Sequence, residues 1–205
     1  MGKPVRTSFI VAVDGPAASG KGTIANRLGH DLGLPVLDTG LLYRAVGVLM
    51  DRARLSLDDE GAAAAAAATL SADLLNDPAL RTRAAGELAS RVAVHPRVRD
   101  ALLDFQRTFA RQDGGAVLDG RDIGTVICPE APAKLYVTAT AEVRAERRWK
   151  QLKGQGEDVA FDDVLADIRR RDERDGGRAA APMTRAVDAN LLDTTEMTIE
   201  QAADA

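Results

Sequence analysis

Nine residues, Gly15-Pro16-Ala17-Ala18-Ser19-Gly20-Lys21-Gly22-Thr23, have the types and spacing of a phosphate cradle. They follow an apolar run, Phe9–Val13, that reads as a buried strand. Gly15 and Gly20 let the backbone turn its N–H groups inward onto anionic oxygens. Lys21 adds a point charge between the β- and γ-phosphates, and Thr23 offers a hydroxyl to Mg²⁺. That hydroxyl stands one place late for the motif because Gly22 intervenes. The stretch Ile24–Leu32 has helical apolar spacing, so a helix N-terminus also faces the anion. A plain glycine turn joining a strand to a helix would share this outline, but here strand, loop and helix all stand where phosphate binding requires them. The chain is expected to bind a nucleoside triphosphate with magnesium.

Three further clusters carry candidate chemistry. Asp119-Gly120-Arg121-Asp122 follows the apolar Ala116–Leu118. An aspartate at a strand end can hold Mg²⁺ or its waters, Arg121 could grip a phosphate, and Asp122 could accept a hydrogen bond from an amine. An Asp- and Gly-rich turn has the same composition; the nearby cradle favours chemistry. Asp175 stands four residues after Arg171 and three before Arg178, so two arginines and a carboxylate could share one helical face. Taken alone, a solvated face with weak ion pairs is the better reading of that cluster. In Asp38-Thr39-Gly40-Leu41-Leu42-Tyr43-Arg44, Thr39 could simply cap a helix, and Arg44, one turn in, would lean back toward the strand end. His30 and His95 lack metal-like partners and read as surface or satisfied residues; Trp149 reads as packing.

The elements that must position these groups alternate. Strands are expected at Phe9–Val13, Pro35–Leu37, Ala116–Leu118, Leu135–Val137 and Asn190–Leu192. Helices are expected at Gly22–Leu32, Leu41–Ala53, Arg97–Arg111, Ala141–Leu152, Phe161–Arg174 and from Thr198. Such alternation implies a parallel sheet covered on both faces, with ligands at the carboxyl ends of its strands. The cradle and the clusters at Asp38 and Asp119 each follow a strand. Leu55–Val94 breaks the pattern: it has no strand signal, and Ala62–Ala68 reads as a short helix. Lys153-Gly154-Gln155-Gly156-Glu157-Asp158 reads as a mobile turn.

At 205 residues, 45% of them hydrophobic, the chain can bury one ordinary core. A net charge of −4 argues against a broad basic surface for nucleic acid. The single cysteine, Cys128, excludes an internal disulfide and fits a reducing compartment. With no apolar segment long enough for a membrane span or leader, a cytoplasmic protein without membrane contact is expected, and a monomer.

Together the quoted segments, with Ser90-Arg-Val-Ala-Val-His-Pro-Arg-Val-Arg99, Asp119–Val126 and Arg178-Ala-Ala-Ala-Pro182, resemble the bacterial cytidylate kinases among the nucleoside monophosphate kinases. The resemblance runs from about Phe9 to Ala202 with a gap in the middle. It implies an α/β P-loop NTPase-type parallel five-stranded sheet covered by helices on both faces, with a monophosphate-binding insert and a short lid. It implies one kinase domain over 1–205, its core at 1–54 and 95–205, the insert at 55–94 and the lid at 150–162. It implies phosphoryl transfer from ATP to CMP or dCMP. Ser90, Arg99 and Asp122 would then face the cytosine; Arg44, Arg121 and Arg178 would hold the monophosphate; Arg171 and Asp175 would contact the sugar, with Thr39 at the pocket edge. Arg147 and Arg148 would be lid-side arginines near the transferred group. Cytosine's N4 amine suits a carboxylate, whereas uracil would set its O4 acceptor against Asp122. The chain departs from the family in a shortened, alanine-rich 55–90 without the insert's usual strands, in fewer cradle glycines, and in a short last helix. Other small-molecule P-loop kinases, acting on AMP, UMP or shikimate-like acceptors, and a nucleotide-binding module without transfer activity are the alternatives. A GTPase would need an Asn-Lys-x-Asp sequence, which is absent.

Overall fold

In the computed structural model, which describes residues 8–205, the five apolar runs form one sheet. Strands β1 (Phe9–Asp14), β2 (Val36–Asp38), β3 (Gly115–Gly120), β4 (Ala133–Thr138) and β5 (Asn190–Asp193) are all parallel, in the order β2-β3-β1-β4-β5. Alternate residues of β1 point to opposite faces. Ile10 and Ala12 join Leu118, Ile123 and Ala110 on one side; Val11 and Val13 join Ile24, Val117 and Val137 on the other. Burial on both faces is why the central strands read as continuous apolar runs. The register sets Asp14 opposite Gly120, and Asp119 opposite both Val13 and Asp38. All the strand-end residues with chemical potential therefore meet at one edge, where open α/β sheets bind their ligands.

Eight helices complete the described residues: α1 (Lys21–Leu32), α2 (Thr39–Arg52), α3 (Glu60–Ala68), α4 (Arg83–Val92), α5 (Pro96–Ala110), α6 (Ala141–Gly154), α7 (Phe161–Gly176) and α8 (Ile199–Asp204). The alanine run is helical as expected: Asp59 caps α3 by accepting from Ala62 N–H at 2.9 Å, and the small Ala63 and Ala67 bury against Leu42, Val46, Val98 and Leu102. No strand is described between 55 and 94. Two short 3₁₀ turns, Ala72–Asn76 and Pro78–Arg81, lead into α4, which the sequence reading did not anticipate. Its signal was present: Thr82 is a hydroxyl cap, and Ala85, Leu88, Ala89 and Val92 recur at helical spacing.

The glycine turn after α6 differs from expectation. The helix runs on to Gly154, and Gly156, at φ +83°, terminates it in the left-handed conformation. Glu157 N–H donates to Leu152 O and Gly156 N–H to Lys153 O, each at 3.0 Å. This is a hydrogen-bonded helix cap rather than a loose turn. Trp149 packs as expected, edge-on to Phe161 with centroids 6.4 Å apart, its indole N–H donating to Val159 O.

Helices α2 and α4 cross at Gly47, where a Cβ would lie 2.6 Å from Leu88 Cβ and 2.9 Å from its carbonyl carbon. Gly47→Ala in an ordinary helix would stabilise by about 1 kcal/mol. Here the overlap should dominate and destabilise by about 1–3 kcal/mol. Urea unfolding measures this, and a stabilised variant would refute the close crossing.

Candidate active site

The cradle conformation follows from its crowding. A Cβ on Gly15 would sit 2.0 Å from Val137 O, so only glycine fits there. Gly20 adopts φ +92°, and Ala18 adopts φ +59° without being glycine, at a cost of about 1–2 kcal/mol. The chain thus tolerates Pro-Ala-Ala-Ser by placing one alanine in the left-handed region. A Cβ on Gly22 would lie 3.1 Å from Asp119 Oδ2. The carboxylate crowds the space beside that position, and the hydroxyl of the exposed Thr23 stands one residue later.

Lys21 is buried, with Nζ 3.4 Å from Pro16 O and 3.6 Å from Asp119 Oδ1. Burial, then Arg121, hold its ammonium down to about 8, against the pull of Asp119 and Asp38. Burial pushes the Asp119 carboxyl up, with Lys21 opposing. An incoming phosphate adds negative charge beside Lys21 and so favours its protonated form.

Two arginines brace the cradle from α6. Arg144, which sequence reading missed, donates to Ala17 O (3.3 Å), to Ala139 O (2.8 Å) and in bidentate fashion to Asp172 (3.0 and 2.6 Å). Its only sequence sign is its place three residues before Arg147 in one helix. Arg147 donates to Ser19 O (3.4 Å), Thr194 Oγ1 (2.9 Å), Thr194 O (2.7 Å) and Met197 O (3.2 Å). It lies outside the cavity, against the back of the loop. Arg148 does face the cavity, its guanidinium 2.9 Å from Gln151 Oε1.

The cavity, of about 430 Å³, brings together Lys21, Thr23, Arg44, Asp119, Arg148 and Arg171. Arg81, from the turn before α4, and Arg83, the first residue of α4, also line it and were not among the candidates drawn from the sequence. Arg44 leans back as its helical position requires and donates to Leu80 O at 2.7 Å. Thr39 is not the cap of α2. Asp38 takes that place, accepting from Gly40 N–H at 2.9 Å, while Thr39 donates to Asp119 O at 2.8 Å.

Behind the cavity lies a buried polar layer. Arg121 donates to Asp175 at 3.0 Å, and Arg171 Nε lies 3.8 Å from the same carboxylate. Burial opposes ionisation of Asp175, yet Arg121, Arg171 and Arg178 outweigh it and hold the carboxyl below the usual range. Arg99 is paired with Asp122 and lies 5.6 Å over the Tyr43 ring. The Arg171–Arg178 cluster is therefore not a solvated face: Asp175 is 4% and Arg178 8% exposed. Burial, then Arg121, bring Arg171 down to about 9, with Arg44 and Arg148 adding repulsion. Among the described residues, Ser90 Oγ, Arg99 Nη1, Arg171 Nε, and Arg178 Nε and Nη2 are buried without a hydrogen-bond partner. Each such donor costs about 1–3 kcal/mol while it lacks an acceptor. His30 is an exposed residue beside Asp31, and His95 is satisfied by Leu57 O, as expected.

A parallel sheet whose central strand opens through a glycine-rich cradle and lysine into a helix defines the P-loop NTPase type. An uncharacterized protein from Eubacterium ventriosum shares the fold (TM-score 0.53, 13% identity, 96% of this chain and 94% of that one). So does a sugar kinase from Janibacter sp. HTCC2649 (TM-score 0.50, 16% identity, 96% and 91%). The sequence model of the cytidylate kinase family matches residues 11–205. A cytidylate kinase of Caulobacter vibrioides (strain NA1000 / CB15N) is 68% identical over 197 residues, covering 96% of this chain and 92% of the relative. One from Xanthobacter autotrophicus (strain ATCC BAA-1158 / Py2) is 63% identical over 194 residues, covering 95% and 93%. The chain belongs to the cytidylate kinase family.

Because Asp172 is the one ion-pair partner of the buried Arg144 among the described residues, Asp172→Ala should destabilise by about 2–3 kcal/mol and weaken triphosphate binding through the Ala17 carbonyl. Urea unfolding and nucleotide titration test this; a loss below about 0.5 kcal/mol would remove Arg144 as the brace.

Proposed function

We propose that this protein transfers the γ-phosphate of ATP to CMP or dCMP, giving CDP or dCDP and ADP. The observation that carries the reading is the set of partnerless buried donors from Arg99, Arg171 and Arg178, which face the Asp122 and Asp175 carboxylates, with the partnerless buried hydroxyl of Ser90 added to them. Family membership supports the same reading. Residues Gly15–Thr23 take the triphosphate. Arg44, Arg121 and Arg178 hold the acceptor phosphate, Arg171 and Asp175 its sugar, and Thr39 closes the pocket edge. Ser90, Arg99 and Asp122 read the base: Arg99 Nη1 donates to N3 or O2, and Asp122 accepts from the N4 amine. Residues 55–94 serve as the acceptor-side insert and 150–162 as the lid.

Phosphoryl transfer needs two phosphates in line and their charge neutralised, with no covalent group from the protein. Lys21 and Arg148 face the transfer point, and Arg171 joins it to the acceptor side. Arg147 is assigned to bracing the cradle through Ser19 O. Oxygen donors suit Mg²⁺, and Asp119 Oδ1, buried and without a hydrogen-bond partner among the described residues, fits it beside the Thr23 hydroxyl. When bound, the ion supplies charge neutralisation on the phosphates. No helix among the described residues is long and apolar enough to cross a membrane. We infer a cytoplasmic, monomeric enzyme.

The test is ADP production with CMP, dCMP, UMP, AMP and shikimate offered in turn. CMP or dCMP should lead, and preference for another acceptor, or triphosphate binding with no ADP from any acceptor, would overturn the reading. Lys21→Ala should fold and lose about 10²–10³-fold or more in turnover, since its charge acts on the transferring group. Near-normal turnover would refute the cradle assignment. Asp122→Asn should lower the CMP-over-UMP ratio of specificity constants by about 5- to 150-fold, the loss of one charge-assisted bond to N4. An unchanged ratio would return Asp122 to a turn or magnesium role.

A further inference from the structure

Asp14 ends β1, is 4% exposed, and takes no part in the chemistry proposed above. Its Oδ1 accepts from Ile123 N–H at 2.8 Å and its Oδ2 from Gly124 N–H at 2.7 Å. These two donors open a π-helical turn, Ile123–Ile127, in which Asp122 O accepts from Val126 and Ile127 N–H at 2.9 and 3.1 Å. The first N–H groups of a helical turn have no acceptor within it. The Asp14 carboxylate supplies both acceptors from a strand more than a hundred residues away in sequence. On the other side of Asp122, Ile123 folds back over Gly120, where a Cβ would lie 2.6 Å from Ile123 Cδ1. The backbone on which Arg121 and Asp122 stand is thus pinned at both ends. Gly124 packs closely there: a Cβ would lie 3.1 Å from Lys134 Cδ and 3.4 Å from Asp14 Oδ2.

We propose that Asp14 is a positioning residue for base selection: with both carboxylate oxygens accepting, it fixes the turn that aims Asp122 at the cytosine amine. The inference rests on the CMP reading given above.

The surroundings make the device sensitive to pH. Asp119 on β3 and Asp122 on the turn are negative neighbours. Tyr136 on β4 and Cys128 after the turn add no cation. Lys134 on β4 sends its ammonium away, to Pro129 O at 2.6 Å and Asp188 at 2.7 Å. Burial, against the two N–H bonds, brings the Asp14 carboxyl up to about 6. Above that pH the ionised group accepts both bonds. Below it the acid carries an O–H, one backbone N–H is left with the weaker hydroxyl oxygen as acceptor, and the turn loosens.

The experiment measures specificity constants of the wild-type enzyme for CMP and for UMP from about pH 5.5 to 8. Substrate phosphate ionisation, near pH 6, is common to both and cancels in their ratio. The CMP-over-UMP ratio should fall about 10-fold on acidification, with its inflection near 6. Asp14→Asn, which offers one acceptor and one opposing amide, should show the low ratio at every pH. Its loss should appear in KM for CMP, with kcat at saturating CMP within about threefold. A wild-type CMP preference that does not move with pH overturns the inference alone, as does an Asp14→Asn variant that keeps the ratio and its inflection. If that variant does not fold, the wild-type profile decides. Absence of any CMP preference at about pH 8 refutes the substrate reading and this inference with it.

Discussion

The parallel register of β1 on β3 sets Asp14 beside Gly120 and Val13 beside Asp119, and the site is assembled around that alignment. A slip of one residue would turn every β3 side chain to the opposite face. Asp119 would then leave Lys21 and Gly22, and Leu118 would leave the core. The apolar residues of both strands forbid the slip, because all of β3 and all of β1 after Phe9 are buried. Core packing and catalytic geometry are thus specified by the same residues.

Around this alignment the electrostatics are deliberately unbalanced. Lys21, Arg44, Arg148 and Arg171 face one cavity, and burial first, then repulsion from neighbouring arginines, lower the proton affinity of each. Desolvation and like-charge repulsion disfavour such an assembly until an anion arrives. Asp175 and Asp122 offset part of the cost, by pairing with Arg121 and Arg99, and keep the arginines from scattering. What remains is an unspent attraction for phosphate in a site of low dielectric, where it acts more strongly than at the surface.

The parts legible in the sequence were those encoded locally. Buried parallel strands are continuous apolar runs, and a phosphate cradle is a contiguous string, so all five strands and the loop were placed, although β3 and β4 each run to six residues where three were expected. Contacts that cross the sheet were not legible. Nothing near Arg144 announces Asp172, and nothing near Thr39 announces the carbonyl of Asp119, because both partnerships arise from tertiary packing. The cluster from Arg171 to Arg178 looked like an ordinary charged face because i,i+4 spacing is common to surfaces and sites alike; burial separated the two. The resemblance to a family grouped Arg99 with Asp122, which spacing could not, and the two are ion-paired in the fold. Helix α4 was overlooked because alanine and glycine carry its buried face.

That small-residue face has a mechanical purpose. A Cβ on Gly86 would meet Arg171 Nη1 at 3.4 Å and Arg44 Nη2 at 3.7 Å, so the bare backbone of α4 leaves the two guanidiniums room side by side. The same helix meets α7 through ion pairs, Arg83 with Asp167 and Glu87 with Arg174, whose side chains are partly exposed. Pairs of that kind contribute about 0–1 kcal/mol each, too little to lock two helices together. The close crossing of α2 on α4 at Gly47 is apolar and buried, and it holds α4 to the core instead. Helix α4 is therefore anchored firmly to α2 and tied only weakly to α7.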